Sequence, residues 1–145
     1  MANISESRGR ILLALDNSGS LREQYLKLRP ELKGALIFVS SPPGRPESAF
    51  LKINDPVGNF KRIQKRVSEG YLIRTRADSD LREGRANDVH RRERAFGSGA
   101  QFISSDFPEP RKKMSNYSVK WKGGQVGRLN PVKYKVKDKP QSRTG

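Results

Sequence analysis

Four short apolar runs, at residues 11–15, 35–39, 71–73 and 100–103, are spaced so that helical or loop segments fill the gaps between them. Runs of this length bounded by polar residues read as buried strands. Strands alternating with helices point to βαβ units and a parallel sheet, whose crossovers are right-handed in almost all cases. The expected order is therefore (βα)₃β, an α/β fold.

The intervening segments carry their own signals. Ser18-Gly19-Ser20 offers a helix N-cap, Leu21, Tyr25, Leu28 and Leu32 follow helical spacing, and Gly34 stands where a C-cap belongs, with Pro30 disturbing the end. Residues 40–52 read as a loop, with Pro42-Pro43-Gly44 and Pro46 breaking any regular element. Asn54-Asp55-Pro56 reads as an N-cap followed by proline in the first turn, and Phe60, Ile63 and Val67 form an apolar stripe closed by Gly70. Asp88 is placed to cap a helix running to about residue 96, with Gly97 and Gly99 ending it.

Two strands end in polar residues. The run at 71–73 leads into Arg74-Thr75-Arg76, and the run at 100–103 leads into Ser104-Ser105-Asp106. In parallel α/β sheets the carboxyl ends of strands are where ligands bind.

Charge is distributed unevenly. The chain has 145 residues, enough for one ordinary core, and a formal net charge of +15, which calls for an anionic partner such as nucleic acid, a phospholipid surface or a phosphorylated small molecule. Residues 111–145 hold eleven Lys or Arg against the single acid Asp138, whereas the first 110 carry 19 basic and 14 acidic side chains. The chain thus divides into a domain at 1–110 with an ordinary mixed surface and a basic extension at 111–145. In that extension residues 117–121 and 132–136 alternate like weak strands around Gly123-Gly124. With no cysteine, a disulfide framework and thiolate metal sites are excluded. The start, MANISESRGR, lacks the apolar core of a signal peptide, and no apolar run approaches the roughly 20 residues that span a bilayer, so a soluble chain is expected.

Seven segments, ALDNSG, FVSSPPG, AFLKINDP, YLIRTRADSD, RANDVHRRE, GSGAQFISSDFPEP and GRLNP, resemble in order the carboxyl-terminal half of the calcium-dependent bacterial and fungal phosphoinositide-specific phospholipases C, over residues 9–132. The resemblance implies four parallel βα units corresponding to the second half of a TIM barrel, followed by a basic tail, irregular or short-stranded. It implies a phosphodiesterase whose catalytic histidine pair and most calcium ligands belong to a first half outside this chain, which would make the chain a fragment inactive by itself. Members of the family are often secreted. Leu129 stands in GRLNP where many relatives would have cysteine.

The expected chemistry uses one base to deprotonate the inositol 2-hydroxyl and one acid to protonate the departing diacylglycerol oxygen. The single histidine, His90, falls inside an expected helix among Arg91, Arg92 and Arg94 and reads as a helix-surface residue, so no catalytic residue is assigned. Five residues are candidates for phosphate and inositol binding. Arg74 and Arg76, two apart on a strand, point to one side, and guanidinium forks match phosphate oxygens; the competing reading pairs them with Asp78 or Asp80. Lys52 is a second cation near the expected barrel mouth or a solvated loop lysine. Asp16 would accept inositol hydroxyls or approach a metal shell, or simply form a turn before Asn17-Ser18-Gly19. Asp106 closes the last strand and would meet the substrate or orient an arginine.

The cofactor implied is calcium, although Asp78, Asp80 and Asp88 lack the glycine turn and terminal Glu of a calcium loop. The expected partners are a phosphoinositide or another anionic phosphodiester, an anionic membrane surface met by the basic tail with Tyr117, Trp121 and Tyr134, and either a missing amino-terminal half or a second copy covering exposed sheet edges. The alternative function is a basic nucleic-acid-binding protein.

Overall fold

The structure, a computed structural model, describes residues 9–134. It is a mixed α/β chain with parallel strands in two small sheets, and it divides into two compact units, one ending at Lys52 and the other beginning at Ile53. Among the described residues no helix is long and apolar enough to cross a membrane.

The first unit contains β1 (Leu13–Leu15), α1 (Ser20–Leu28), a 3₁₀ turn (Pro30–Leu32), β2 (Ile37–Val39) and β3 (Phe50–Lys52). β1 and β2 run parallel, Leu13 opposite Ile37 and Leu15 opposite Val39. The helix stops four residues short of Leu32, because Pro30 has no N–H and forces the preceding residue out of the helical region; Arg29 sits at φ −136°, ψ 72°. Its N-cap is Gly19, with no side-chain cap bond, so the expected serine cap is not made.

Two expectations fail here. The 40–52 segment is not loop throughout: Phe50–Lys52 forms β3, with Phe50 bridging in parallel to Ser40. Nor are the first two apolar runs buried as units. β1 is largely exposed, α1 buries no residue, and Ile11 and Leu36 are 87% and 84% exposed. Among the described residues of this unit, Val39, Ser41, Phe50 and Leu51 are buried. Periodicity identifies a face fit for burial but does not supply the surface that covers it.

The second unit contains α2 (Phe60–Ser68), β4 (Leu72–Arg76), α3 (Arg82–Ala86), α4 (His90–Gly97) and β5 (Phe102–Ser104). α2 starts after Asn59 rather than at the Asn54-Asp55-Pro56 cap. Asp55 Oδ1 instead accepts the Val57 N–H at 3.1 Å, turning the chain before the helix begins. Ile63 and Val67, one turn apart, are fully buried, which is what their spacing requires. Gly70 ends the helix at φ 97°, where the Tyr71 N–H reaches back to the Arg66 carbonyl at 3.1 Å; a side chain at Gly70 would be strained. The N-cap of α4 is Val89, with no side-chain cap bond, so the expected Asp88 cap is not made; the Asp88 carboxylate instead accepts the His90 N–H, two residues on, at 2.8 Å.

β4 and β5 pair in parallel, with Arg74 opposite Phe102 and Arg76 opposite Ser104. Gln101 extends the ladder with its side chain, its Oε1 accepting the Ile73 N–H at 2.8 Å and its Nε2 donating to the Tyr71 carbonyl at 3.2 Å. β4 runs three residues further than the apolar run 71–73, and its burial alternates, with Ile73 and Thr75 inside.

The core of this unit holds Ile53, Ile63, Val67, Ile73, Ala77, Ala95, Phe107 and Tyr117. The last of these lies in the basic segment, whose described part, residues 111–134, packs on the unit without forming strands. Residues 117–121 therefore pair in no strand, although Trp121 is extended at φ −70°, ψ 153°, and the alternation at 132–136 runs partly outside the described residues. Tyr117 is 1% exposed, donates its hydroxyl to the Ala77 carbonyl at 3.0 Å, and meets the Phe107 ring edge-on at 5.3 Å. Burial, with the charges of Asp78 and Glu83 adding to it, raises the phenol far above its usual range, so the hydroxyl remains a donor.

Gly84 on α3 shows how closely this segment fits. A Cβ there would stand 2.1 Å from Phe107 Cζ, inside a ring that is itself buried. Alanine would gain at most about 1 kcal/mol of helix propensity, and the overlap outweighs it. Gly84→Ala is expected to lower the unfolding free energy by about 1–3 kcal/mol, measured by urea denaturation.

Candidate functional site

β4 places Arg74 and Arg76 on one face, because alternate strand residues share a side and Ile73 and Thr75 take the inner one. Each guanidinium is held from behind. Arg74 Nη1 donates to Asn54 Oδ1 at 2.7 Å, and the Asn54 carbonyl accepts Arg91 Nη2 at 2.6 Å. Arg91 in turn faces Glu83, with Nε to Oε1 at 3.8 Å, and Glu83 is buried and accepts the Ser79 N–H at 2.8 Å. The series Glu83, Arg91, Asn54, Arg74 thus ties the β4 arginine to the connection that follows the strand.

Arg76 is held by a second series. Its Nη2 lies 3.3 Å from Asp106 Oδ2, and the Asp106 N–H donates to Asp78 Oδ1 at 2.9 Å. Asp78 is fully buried, and its other oxygen accepts the Ser105 hydroxyl at 2.5 Å. Among the described residues Asp78 is satisfied by neutral donors, which is how a carboxylate is kept inside a protein without a direct counter-ion.

The remaining two candidates meet each other in the first unit. Lys52 Nζ stands 3.1 Å from Asp16 Oδ1 and also donates to the Asp16 carbonyl. Lys52 lies on β3 rather than in a loop, and its N–H donates to Ser40 Oγ at 2.9 Å. Arg22 reaches the same strand end, donating to the Ser40 carbonyl at 3.1 Å.

The five candidates therefore fall into two groups: Asp16 with Lys52, and Arg74 with Arg76 and Asp106. Arg74 donates to Asn54, and Arg76 pairs with Asp106. His90 is exposed at the first turn of α4. Sequence reasoning missed Glu83, Arg91 and Arg22, and it read Asn54 as a helix cap and Asp78 as a surface acid. Asn54 carried a signal, standing next to a proline in a short polar stretch, but that signal was equally that of a helix cap. Glu83 carried none, and the burial of Asp78 did not show, because burial of a carboxylate depends on donors distant in sequence.

Calcium takes six to eight oxygen ligands from several carboxylates and carbonyls. Among the described residues no group of three or more His, Cys, Asp or Glu side chains is placed to hold a metal ion. Asp78 is engaged by Ser105 and Asp106, Asp16 by Lys52, and Glu83 by Ser79 and Arg91. These residues do not fit a calcium site.

No match was found among curated proteins or among solved structures. A family model described as phosphoinositide phospholipase C, Ca2+-dependent, matches residues 2–131, a span that includes both candidate groups and continues through Trp121 and Leu129. The chain belongs to the Ca2+-dependent phosphoinositide phospholipase C family.

Proposed function

We propose that this chain is a phospholipase C-like phosphodiesterase relative whose own contribution is to grip the phosphate and inositol of a phosphoinositide. The observation that carries the reading is the pair Arg74 and Arg76 on one face of β4, Arg74 donating to Asn54 and Arg76 to Asp106, whose N–H is held by the buried Asp78. Two forks fixed at alternate strand positions suit a phosphodiester, whose two non-bridging oxygens present charge in different directions. In this reading the parallel strands are the later strands of a barrel, with Arg74, Arg76 and Asp106 near its ligand-binding end. Asp106 acts by orienting Arg76, and Lys52 with Asp16 is a separate candidate contact for an anionic ligand within the first unit.

The acid and base of the reaction are a separate matter. The 145 residues contain one histidine, so a two-histidine mechanism needs groups supplied from elsewhere, and no step is assigned to calcium through the residues described. The nucleic-acid reading finds no support in the family match.

The test is equilibrium binding of myo-inositol 1-phosphate at physiological salt. Arg74→Ala and Arg76→Ala are each expected to weaken it by about tenfold to a hundredfold, the worth of a charge-assisted hydrogen bond or two. Unchanged affinity in both variants would reject the β4 grip.

A further inference from the structure

Residues 119–131 form an arm fastened at both ends and unsupported in the middle. At one end Trp121 stacks on Phe96 with ring centroids 3.9 Å apart. At the other, Arg128 lies 4.3 Å from the Trp121 ring and donates to the Phe96 carbonyl at 2.7 Å, while Asn130 Nδ2 donates to the Gly99 carbonyl at 2.7 Å. Between these anchors Val126 is fully exposed at 104%, and Leu129 is 69% exposed. Both border an open hollow of about 640 Å³ that Trp121, Lys120 and Arg128 also line. Nothing inside the fold calls for an aliphatic side chain at either position, since both ends are already held by other groups.

The surroundings are cationic. Residues 111–134 contain seven Lys or Arg and no acid, with Lys112, Lys113 and Lys133 exposed. Met114 and Tyr134 add partly exposed apolar surface to the same segment. Exposed aliphatics beside a tryptophan, within a segment rich in Lys and Arg of which Lys120 is paired with Glu109, match an anionic bilayer surface. Lipid headgroups meet the lysines, and the aliphatics and the indole body enter the interface. A nucleic acid would meet the charge but gives no use to Val126 or Leu129.

We propose that the 119–131 arm is a membrane-docking surface for anionic lipid, using Val126 and Leu129 as apolar contacts and the flanking lysines and arginines as charge contacts. It is distinct from the β4 arginines and does not need a phosphoinositide headgroup. Vesicles of phosphatidylcholine with and without phosphatidylserine, free of phosphoinositide, therefore test it independently of the headgroup reading.

The full chain is expected to sediment with the phosphatidylserine vesicles and not with pure phosphatidylcholine. The double variant V126E/L129E should lose at least about tenfold in binding, because it places charge where apolar contact is needed, while circular dichroism stays unchanged. Because Trp121 is the sole tryptophan, brominated lipid mixed into the anionic vesicles should quench its fluorescence on binding. Binding by V126E/L129E equal to the parent chain would overturn the proposal. So would vesicle binding with no quenching, or a single-stranded RNA oligonucleotide that is bound more tightly than the vesicles and is unaffected by V126E/L129E.

Discussion

Tyr117→Ala is expected to destabilise the protein by about 3–5 kcal/mol in urea unfolding, the range for deleting a buried aromatic side chain. Tyr117 sits in a basic, low-hydrophobicity segment, where an ordinary surface substitution would change stability by no more than about 0.5 kcal/mol. Its ring is buried against Phe107, and its hydroxyl satisfies the Ala77 carbonyl directly after β4. Phe107 in turn lies over Gly84, while the Phe107 carbonyl accepts the Val119 N–H at 2.9 Å and Ser115 Oγ donates to the Gly84 carbonyl. Removing the ring opens a cavity bounded by elements that already touch, and these cannot collapse without giving up those bonds. Tyr117→Phe separates the two contributions: it keeps the packing, leaves the Ala77 carbonyl short of its donor, and is expected to cost about 1 kcal/mol. A cost for Tyr117→Ala no larger than that for Tyr117→Phe would mean the ring does not belong to the core.

Asp78→Ala is expected to cost about 3 kcal/mol, because it strands the Ser105 hydroxyl and the Asp106 N–H at once. The same substitution should weaken myo-inositol 1-phosphate binding, although Asp78 is buried and does not point at the ligand. Its effect runs through the Asp106 backbone to the carboxylate that holds Arg76. Asp78→Asn keeps the shape and one acceptor, so its stability cost should be the smaller. Urea unfolding and equilibrium binding on the two variants check both parts. A large stability loss with unchanged ligand affinity in the folded fraction would show that Asp106 does not depend on Asp78 to orient Arg76.

The parts of the fold legible in the sequence were those decided locally. Ile63, Val67 and Gly70 identified α2 because spacing and a positive φ are properties of neighbours in the chain. Arg74 and Arg76 were correctly placed on one face because strand alternation has a fixed period. What failed to show was set by distant partners. β3 went unread because three residues after a proline-rich stretch give no period to detect. The engagement of Asp16 by Lys52, of Arg74 by Asn54, and of Asp106 by Arg76 spans 20 to 36 positions in sequence. Composition also misled: the positive charge of residues 111–134 obscured one buried tyrosine, although a single aromatic is enough to anchor a segment. In the first unit, Ile11 and Leu36 were apolar as a buried strand requires, yet they remain exposed.

The central claim is that the β4 arginines, and not the basic segment, grip the phosphate. The most direct measurement follows the side-chain Nε–H resonances of the arginines by ¹⁵N nuclear magnetic resonance while myo-inositol 1-phosphate is added at physiological salt. Saturable shifts at Arg74 and Arg76 are the predicted result, with the Arg74 shift in Arg76→Ala saturating only at the higher ligand concentration that the lost affinity requires. Shifts confined to Arg111 and Arg128, with Arg74 and Arg76 unmoved, would contradict it.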